Sequence, residues 1–159
     1  MNRPSRIEVH LATACMWAER SVCSRLCVGC VITTCDHRRV LSVGYNGPAK
    51  GLDHGRCNGL PGGCGCLHAE DNAIAMVDGT IPDKTAFLTH SPCITCAQRL
   101  IQAKVTTVWF VQQYRSAAGL DLLRAVGVLV DQYEPNVLSG RNSPISRGVL
   151  LHWMSRPTD

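Results

Sequence analysis

Residues 85–111, Thr85 to Val111, read TAFLTHSPCITCAQRLIQAKVTTVWFV, and this stretch decides the fold. Thr85–Thr89 is a short apolar run before turn residues, the pattern of a buried strand. Pro92 or Cys93 opens a helix that runs to about Ala103, and Thr106–Val111 is a second strand. Beyond it, Leu120–Ala125 predicts a short helix and Val126–Tyr133 a last strand. Toward the N-terminus, His68–Val77 is helical and closed by Asp78-Gly79. Val28–Thr33 and Val40–Tyr45 are β-rich runs separated by the polar segment Cys35–Arg39, which reads as a hairpin. Ile7, Leu11, Ala14, Cys15, Ala18 and Val22 fall at helical spacing, so residues 5–22 predict an amphipathic helix with Ser5 as its cap. The order α-β-β-α-β-α-β-α-β implies an α/β domain with helices on a central mixed sheet.

Two segments lie outside this alternation. Between Gly47 and Cys66 there are seven glycines and two prolines, a loop long enough to need a function or an anchor. From Glu134 onward the chain mixes Pro, Ser, Gly and Arg, and only Val149–Met154 is apolar enough to dock. The expected organisation is one domain over residues 1–133 and a tail over 134–159, docking on that domain or on a neighbouring subunit.

Composition narrows the class. The chain has 159 residues, 45% hydrophobic and 18% charged, which excludes a disordered polypeptide. No run approaches the roughly 18 apolar residues of a membrane span. Lys and Arg total 16 against 12 Asp and Glu, so the formal charge of +4 suits a small anionic ligand and is too weak for a nucleic-acid binder. Ten cysteines make about 6% of the chain, below the roughly 8–10% of a disulfide scaffold. The weakly apolar stretch Ile7–Ala18 carries Glu8 and His10 and runs into Glu19-Arg20, a poor secretory signal. A reducing cytoplasm is expected, with some thiolates on metal and others buried as small hydrophobes.

The chemistry gathers at two helix starts. His68-Ala69-Glu70 opens one helix and Pro92-Cys93-Ile94-Thr95-Cys96 the other. Cysteines at i and i+3 share a helical face, and a helix N-terminus favours thiolate. With His68 as third ligand, the fourth tetrahedral position stays open, as in a catalytic zinc site. Such a site lowers the pKa of its water from about 15.7 to about 7. Glu70, beside the metal, would move protons between that water and a substrate nitrogen. Either motif alone has an ordinary reading, a polar helix start or half of a structural zinc site. Together, in this order, they form the H-x-E and P-C-x-x-C signature of zinc nucleobase deaminases.

A wider match accompanies the signature. Arg20-Ser21-x-Cys23-x-Arg25-Leu26-x-Val28-Gly29, Gly44-Tyr45-Asn46-Gly47, Gly51-x-Asp53-His54, His68-Ala69-Glu70-x-Asn72-Ala73-Ile74, Pro92-Cys93-x-x-Cys96 and Tyr114 resemble the deoxycytidylate (dCMP) deaminase family over about residues 7–133. The resemblance implies a three-layer α/β/α fold with a mixed five-stranded sheet, a catalytic Zn2+, and hydrolysis of dCMP to dUMP and ammonia for thymidylate synthesis. It also implies an oligomer, often a hexamer, while the residues are silent on dCTP or dTTP as effectors. By the same resemblance Asn46 meets the sugar 3′-hydroxyl, Arg25 the phosphate, Tyr114 closes over the nucleotide, and the Ser91 carbonyl accepts from the 4-amino group. Each has a plainer alternative, since Asn46 can satisfy a turn, Arg25 can be a solvated charge and Tyr114 can cover a sheet edge.

Some members of the family carry a second, structural zinc. Here Cys23, His54 or Cys57, and Cys64 match its ligands, with Cys66 an extra candidate. Gly55 stands where many relatives have cysteine, so the ligand set differs. Cys15 and Cys30 read as core, and His10, His37, His90 and His152 as surface or packing residues. Rival readings keep the chemistry and change the substrate: a free nucleoside, a 5-methyl or 5-hydroxymethyl dCMP, or an RNA base. A non-catalytic zinc module is the remaining class, and an acid beside the metal argues against it.

Overall fold

The computed structural model describes residues 3–134 and 144–156. Helix α1 (Arg6–Ala18) starts with a reciprocal cap: Ser5 Oγ accepts from the Glu8 amide at 3.2 Å, and the Glu8 carboxylate accepts from the Ser5 amide at 2.8 Å. It ends four residues before Val22, because the amides of Glu19, Arg20 and Ser21 each bond three residues back and tighten the last turn. Val22 is left exposed rather than continuing the apolar stripe.

Strands β1 (Gly29–Thr34) and β2 (Val40–Tyr45) form the expected antiparallel hairpin, with a register shift between Ile32 and Thr33. At its turn Asp36 accepts from the Arg38 amide, and His37 takes a positive φ of 58°. Strand β3 (Lys84–His90) is buried at every position, as befits a central strand covered on both faces. It pairs antiparallel with β1 and parallel with β4 (Val105–Gln112), which pairs parallel with β5 (Leu129–Gln132). The sheet order is β2-β1-β3-β4-β5, five strands and mixed. The last strand is shorter than Val126–Tyr133, because Val126 caps the preceding helix and Gly127 turns the chain at φ 83°.

Alternation along the strands splits the core into two layers. Helices α2 (Ala69–Ile74), α3 (Ile94–Gln102) and α4 (Ala118–Ala125) cover Cys30, Ile32, Ala86, Leu88, Val108 and Phe110. On the other face α1 and helix α5 (Pro144–Met154) cover Val31, Phe87 and Val111, with Leu150 and Trp153 of α5 buried there. The architecture is α/β/α, as the sequence predicts. Cys15 and Cys30 are fully buried in these layers, and His10 packs on Phe87 with ring centroids 5.0 Å apart. Among the described residues no helix is long and apolar enough to cross a membrane.

Close approach of backbones sets the helices on the sheet. A Cβ at Gly44 of β2 would stand 2.2 Å from the Ala69 carbonyl oxygen, at the very start of α2. Replacing it with alanine must push α2 outward, and overpacking of this kind costs about 1–3 kcal/mol or more. Gly44→Ala should therefore lower the urea midpoint of the full chain by an amount in that range, with an unchanged m-value. A midpoint equal to wild type would show that β2 and α2 are not in such contact.

Candidate active site

Both functional helix starts are made by side chains that do not cap in the usual way. His68 is the N-cap of α2, with extended backbone and no side-chain cap bond, which leaves its imidazole directed elsewhere. Cys93 is the N-cap of α3, its sulfur accepting from the Cys96 amide at 3.5 Å. The strands β1 and β3 lie side by side beneath the two helices, and Gly119 lets α4 approach so closely that a Cβ there would meet the Pro92 carbonyl at 2.1 Å. As a result His68 Nδ1 lies 3.2 Å from Cys96 Sγ and 3.6 Å from Cys93 Sγ.

These three donor atoms lie within 4.8 Å of one another. The Cys96 thiol, followed by His68 and the Cys96 amide, holds Cys93 down to about 4, a thiolate at neutral pH. The same contact with Cys93 raises His68 to about 9, and Cys96 is pushed up by Cys93 and by burial. One imidazole and two cysteine sulfurs are a donor set that fits tetrahedral zinc with one position open. Glu70, one residue into α2, is 4% exposed, and burial lifts its carboxyl to about 7.

A cavity opens beside this trio, lined by His68, Glu70 and Cys93 and also by Arg25, Asn46, Ser91 and Tyr114. The structure thus gathers around one space all the residues that the sequence singles out for the nucleotide. Arg25 Nη2 donates to the Tyr114 hydroxyl at 3.4 Å, while its Nε and Nη1 are buried without a partner. The Tyr114 amide in turn donates to Ser91 Oγ at 2.8 Å. Asn46 is held by backbone: its Oδ1 accepts from the Val28 amide at 2.7 Å and its Nδ2 donates to the Leu26 carbonyl at 2.6 Å. One lone pair and one N–H of that amide remain for other partners.

Sequence reasoning leaves Leu26, Val28 and His90 out of the site, yet all three line the cavity. His90 is 3% exposed, with Nδ1 3.1 Å from Thr89 Oγ1. The period-2 alternation of β3, which puts His90 on the same face as Leu88, is the signal that finds it.

The glycine-rich loop folds back on a second cluster. Cys23, Cys57, Cys64 and Cys66 have their sulfurs within 4.8 Å of one another, with Cys23 3.6 Å from Cys57 and 3.9 Å from Cys64. Gly65, at φ 81°, is the turn that lets the cysteines on either side of it reach the same place. The Asn58 amide bonds the Cys64 carbonyl and closes the loop. Cys57 falls to about 6, held by the Ser24 hydroxyl and by the Gly59 and Ser24 amides, while burial raises Cys23. His54 is not in this cluster. It sits exposed in the 3-10 turn His54–Arg56, whose start is capped by the Asp53 side chain, and only after that turn does Cys57 reach the other thiols. Cys66 is the fourth member.

The family model for the cytidine and deoxycytidylate deaminase zinc-binding region matches residues 4–112. The chain belongs to this family. Among curated proteins, this deaminase-family chain is 32% identical over 153 residues to the deoxycytidylate deaminase of Saccharomyces cerevisiae, covering 86% of the chain and 48% of that protein. The chain therefore spans about half the length of the yeast relative. It is 34% identical over 143 residues to ComE operon protein 2 of Bacillus subtilis, covering 84% and 74% respectively. Among solved structures, the dCMP deaminase of cyanophage S-TIM5 in complex with dCMP and dUMP superposes with a TM-score of 0.72 at 32% identity, covering 82% of this chain and 98% of the phage protein. The RibD protein of Acinetobacter baumannii shares the fold, with a TM-score of 0.63 at 20% identity. The zinc that the family region binds agrees with the His-Cys-Cys donor set here.

Asn46→Ala would leave the Val28 amide and Leu26 carbonyl without their partners. Stranding such groups costs about 1–3 kcal/mol each when they stay dry. Chemical denaturation should show a loss of at least that size, and hydrogen exchange should speed at Val28. Unaltered exchange there would mean that Asn46 does not hold the cavity wall.

Proposed function

We propose that this chain hydrolyses dCMP to dUMP and ammonia. The observation that carries the reading is the joint lining of one cavity by buried Glu70, beside His68, Cys93 and Cys96, and by Arg25 with two unpaired guanidinium nitrogens. Guanidinium nitrogens buried without acceptors are costly, and a phosphate bound in the cavity would supply the missing acceptors. Tyr114, already bonded to Arg25, would close over the sugar and phosphate, with Asn46 toward the 3′-hydroxyl and the Ser91 carbonyl toward the 4-amino group. The dCMP and dUMP bound to the cyanophage relative support the substrate class.

His68, Cys93 and Cys96 would hold the catalytic zinc. When bound, zinc supplies a Lewis acid that brings the pKa of water to about 7. Glu70, buried and poised near neutrality, takes a proton from the attacking water and delivers it to N3. A second transfer through Glu70 to the 4-amino nitrogen lets it leave as ammonia as the C4–N bond breaks. Oxygen from water replaces nitrogen at C4, so dCMP and water give dUMP and ammonia with no change of oxidation state.

Cys23, Cys57, Cys64 and Cys66 would hold a second, structural zinc, a closed set of four sulfurs that anchors the loop. We also infer a cytoplasmic setting, in keeping with ten free cysteines. An oligomer, implied by the resemblance, belongs to the same proposal.

The decisive experiment follows loss of cytosine absorbance with dCMP, deoxycytidine and CMP in parallel. dCMP should turn over fastest. Glu70→Ala should keep its zinc and lose about 10²–10⁴ in kcat. Arg25→Ala should lose about 10² in kcat/KM for dCMP and leave deoxycytidine untouched. Equal effects on the two substrates would remove the phosphate role of Arg25, and normal turnover in Glu70→Ala would sink the mechanism.

Metal analysis addresses the second ion independently. The purified wild-type chain should carry two zinc ions, Cys57→Ala one, and His54→Ala two. Loss of zinc from His54→Ala would restore histidine to the ligand set.

A further inference from the structure

The family region ends at Gln112, yet this residue joins the cavity wall to a helix well beyond it. Gln112 is the last residue of β4, is 8% exposed and lies opposite His90 in the sheet. Its Nε2 donates to two carbonyls at the end of α5, Met154 at 3.3 Å and Arg156 at 3.0 Å. These acceptors fix the amide orientation, because a flip would set Oε1 against two carbonyl oxygens. On its backbone side the Gln112 carbonyl accepts from the Ser91 amide at 2.9 Å. Ser91 Oγ accepts from the Tyr114 amide, and the Tyr114 hydroxyl accepts from Arg25. These hydrogen bonds, joined through the covalent frames of Gln112, Ser91 and Tyr114, link α5 to the guanidinium.

The same helix touches the cavity wall a second time. The Trp153 ring stands edge-on to His90, with centroids 6.4 Å apart. Arg156 lies 4.2 Å over Trp153 and pairs with Glu19 at 2.6 Å, which fastens the end of α5 to the turn after α1. Packing alone does not account for a glutamine here. Among the described residues its buried Oε1 has no hydrogen-bond partner, an orphan that an apolar side chain of similar volume would avoid.

We infer that Gln112 is a positioning residue for the nucleotide, through which α5 sets the placement of Ser91, Tyr114 and Arg25. The inference rests on the reading above that these three face dCMP. Gln112 itself touches no substrate. It holds the Ser91 and Tyr114 backbones at the separation the nucleotide needs, so its loss weakens binding more than chemistry.

The test uses the full-length, zinc-loaded chain. Gln112→Leu should raise KM for dCMP about tenfold, the effect of losing one or two well-placed bonds, with kcat within about threefold of wild type. Zinc content should stay at the wild-type value. A folded Gln112→Leu with normal KM would overturn the inference, as would a loss of kcat in step with a loss of folded protein. A second measurement does not depend on that variant folding. In Glu70→Gln, saturating dCMP should slow amide exchange in residues 150–156, because coupling between two sites is reciprocal. Protection of the cavity segments without protection of α5 would overturn it. A wild-type chain that neither binds nor turns over dCMP would bring down the nucleotide reading itself, before any variant is compared.

Discussion

Two helices must begin at one point, and most of the fold serves that demand. His68 and Cys93 are both N-caps, and their donor atoms stand 3.6 Å apart. Helix N-termini repel one another as partial positive charges, so such a meeting needs negative charge or thiolate between them. Cys93 supplies it. Gly44 lets α2 sink onto β2, Gly119 lets α4 sink onto the turn before α3, and the neighbouring strands β1 and β3 hold both in line. Glu70 follows from the same geometry: one residue into a helix pressed against a sheet, it is 4% exposed and lines the cavity.

The cavity beside this junction is polar in a particular way. Its walls hold a buried carboxyl at one position and, at another, a guanidinium with two unpaired nitrogens. Both are expensive in isolation, and such unsatisfied groups concentrate where a ligand completes the arrangement. The loop from Gly47 to Cys66 adds a wall that cannot stand by hydrophobic burial, since many of its side chains are exposed. Four sulfurs drawn together at its base do the work that a core does elsewhere.

Much of this was legible in the residues. Apolar runs and period-2 and period-3.6 patterns located the α-helices and strands from α1 to β5, and Ser5 and Pro92 mark limits, while α2 stops at Ile74, short of the Asp78-Gly79 stop, because the Met76 and Val77 amides bond only three residues back. H-x-E and P-C-x-x-C identified the trio, because ligand chemistry constrains residue type and spacing together. What escaped was set by contacts distant in sequence. Nothing local says that Cys66 joins the cysteine cluster while His54 turns outward; that depends on a 3-10 turn and on the left-handed glycine at 65. Likewise Gln112 looks like an ordinary strand end, and its bonds to α5 cross some forty residues. Asn46 was readable as polar and well placed, but its bonds to Leu26 and Val28 emerge only once the loop before β1 is folded.

The mixed sheet also sets short-range pairings against one long-range pairing. The β1–β2 hairpin and the α3–β4–α4–β5 half are built from neighbours in sequence and can form early. The join between them is β1 against β3, where Cys30 meets Leu88 across the hairpin, the long loop and α2. Of the four strand pairings this one closes the longest span. His68 stands at the start of the helix packed on the hairpin and Cys93 at the start of the helix that follows β3, so the reactive centre is a product of that one long-range pairing and not of either half alone.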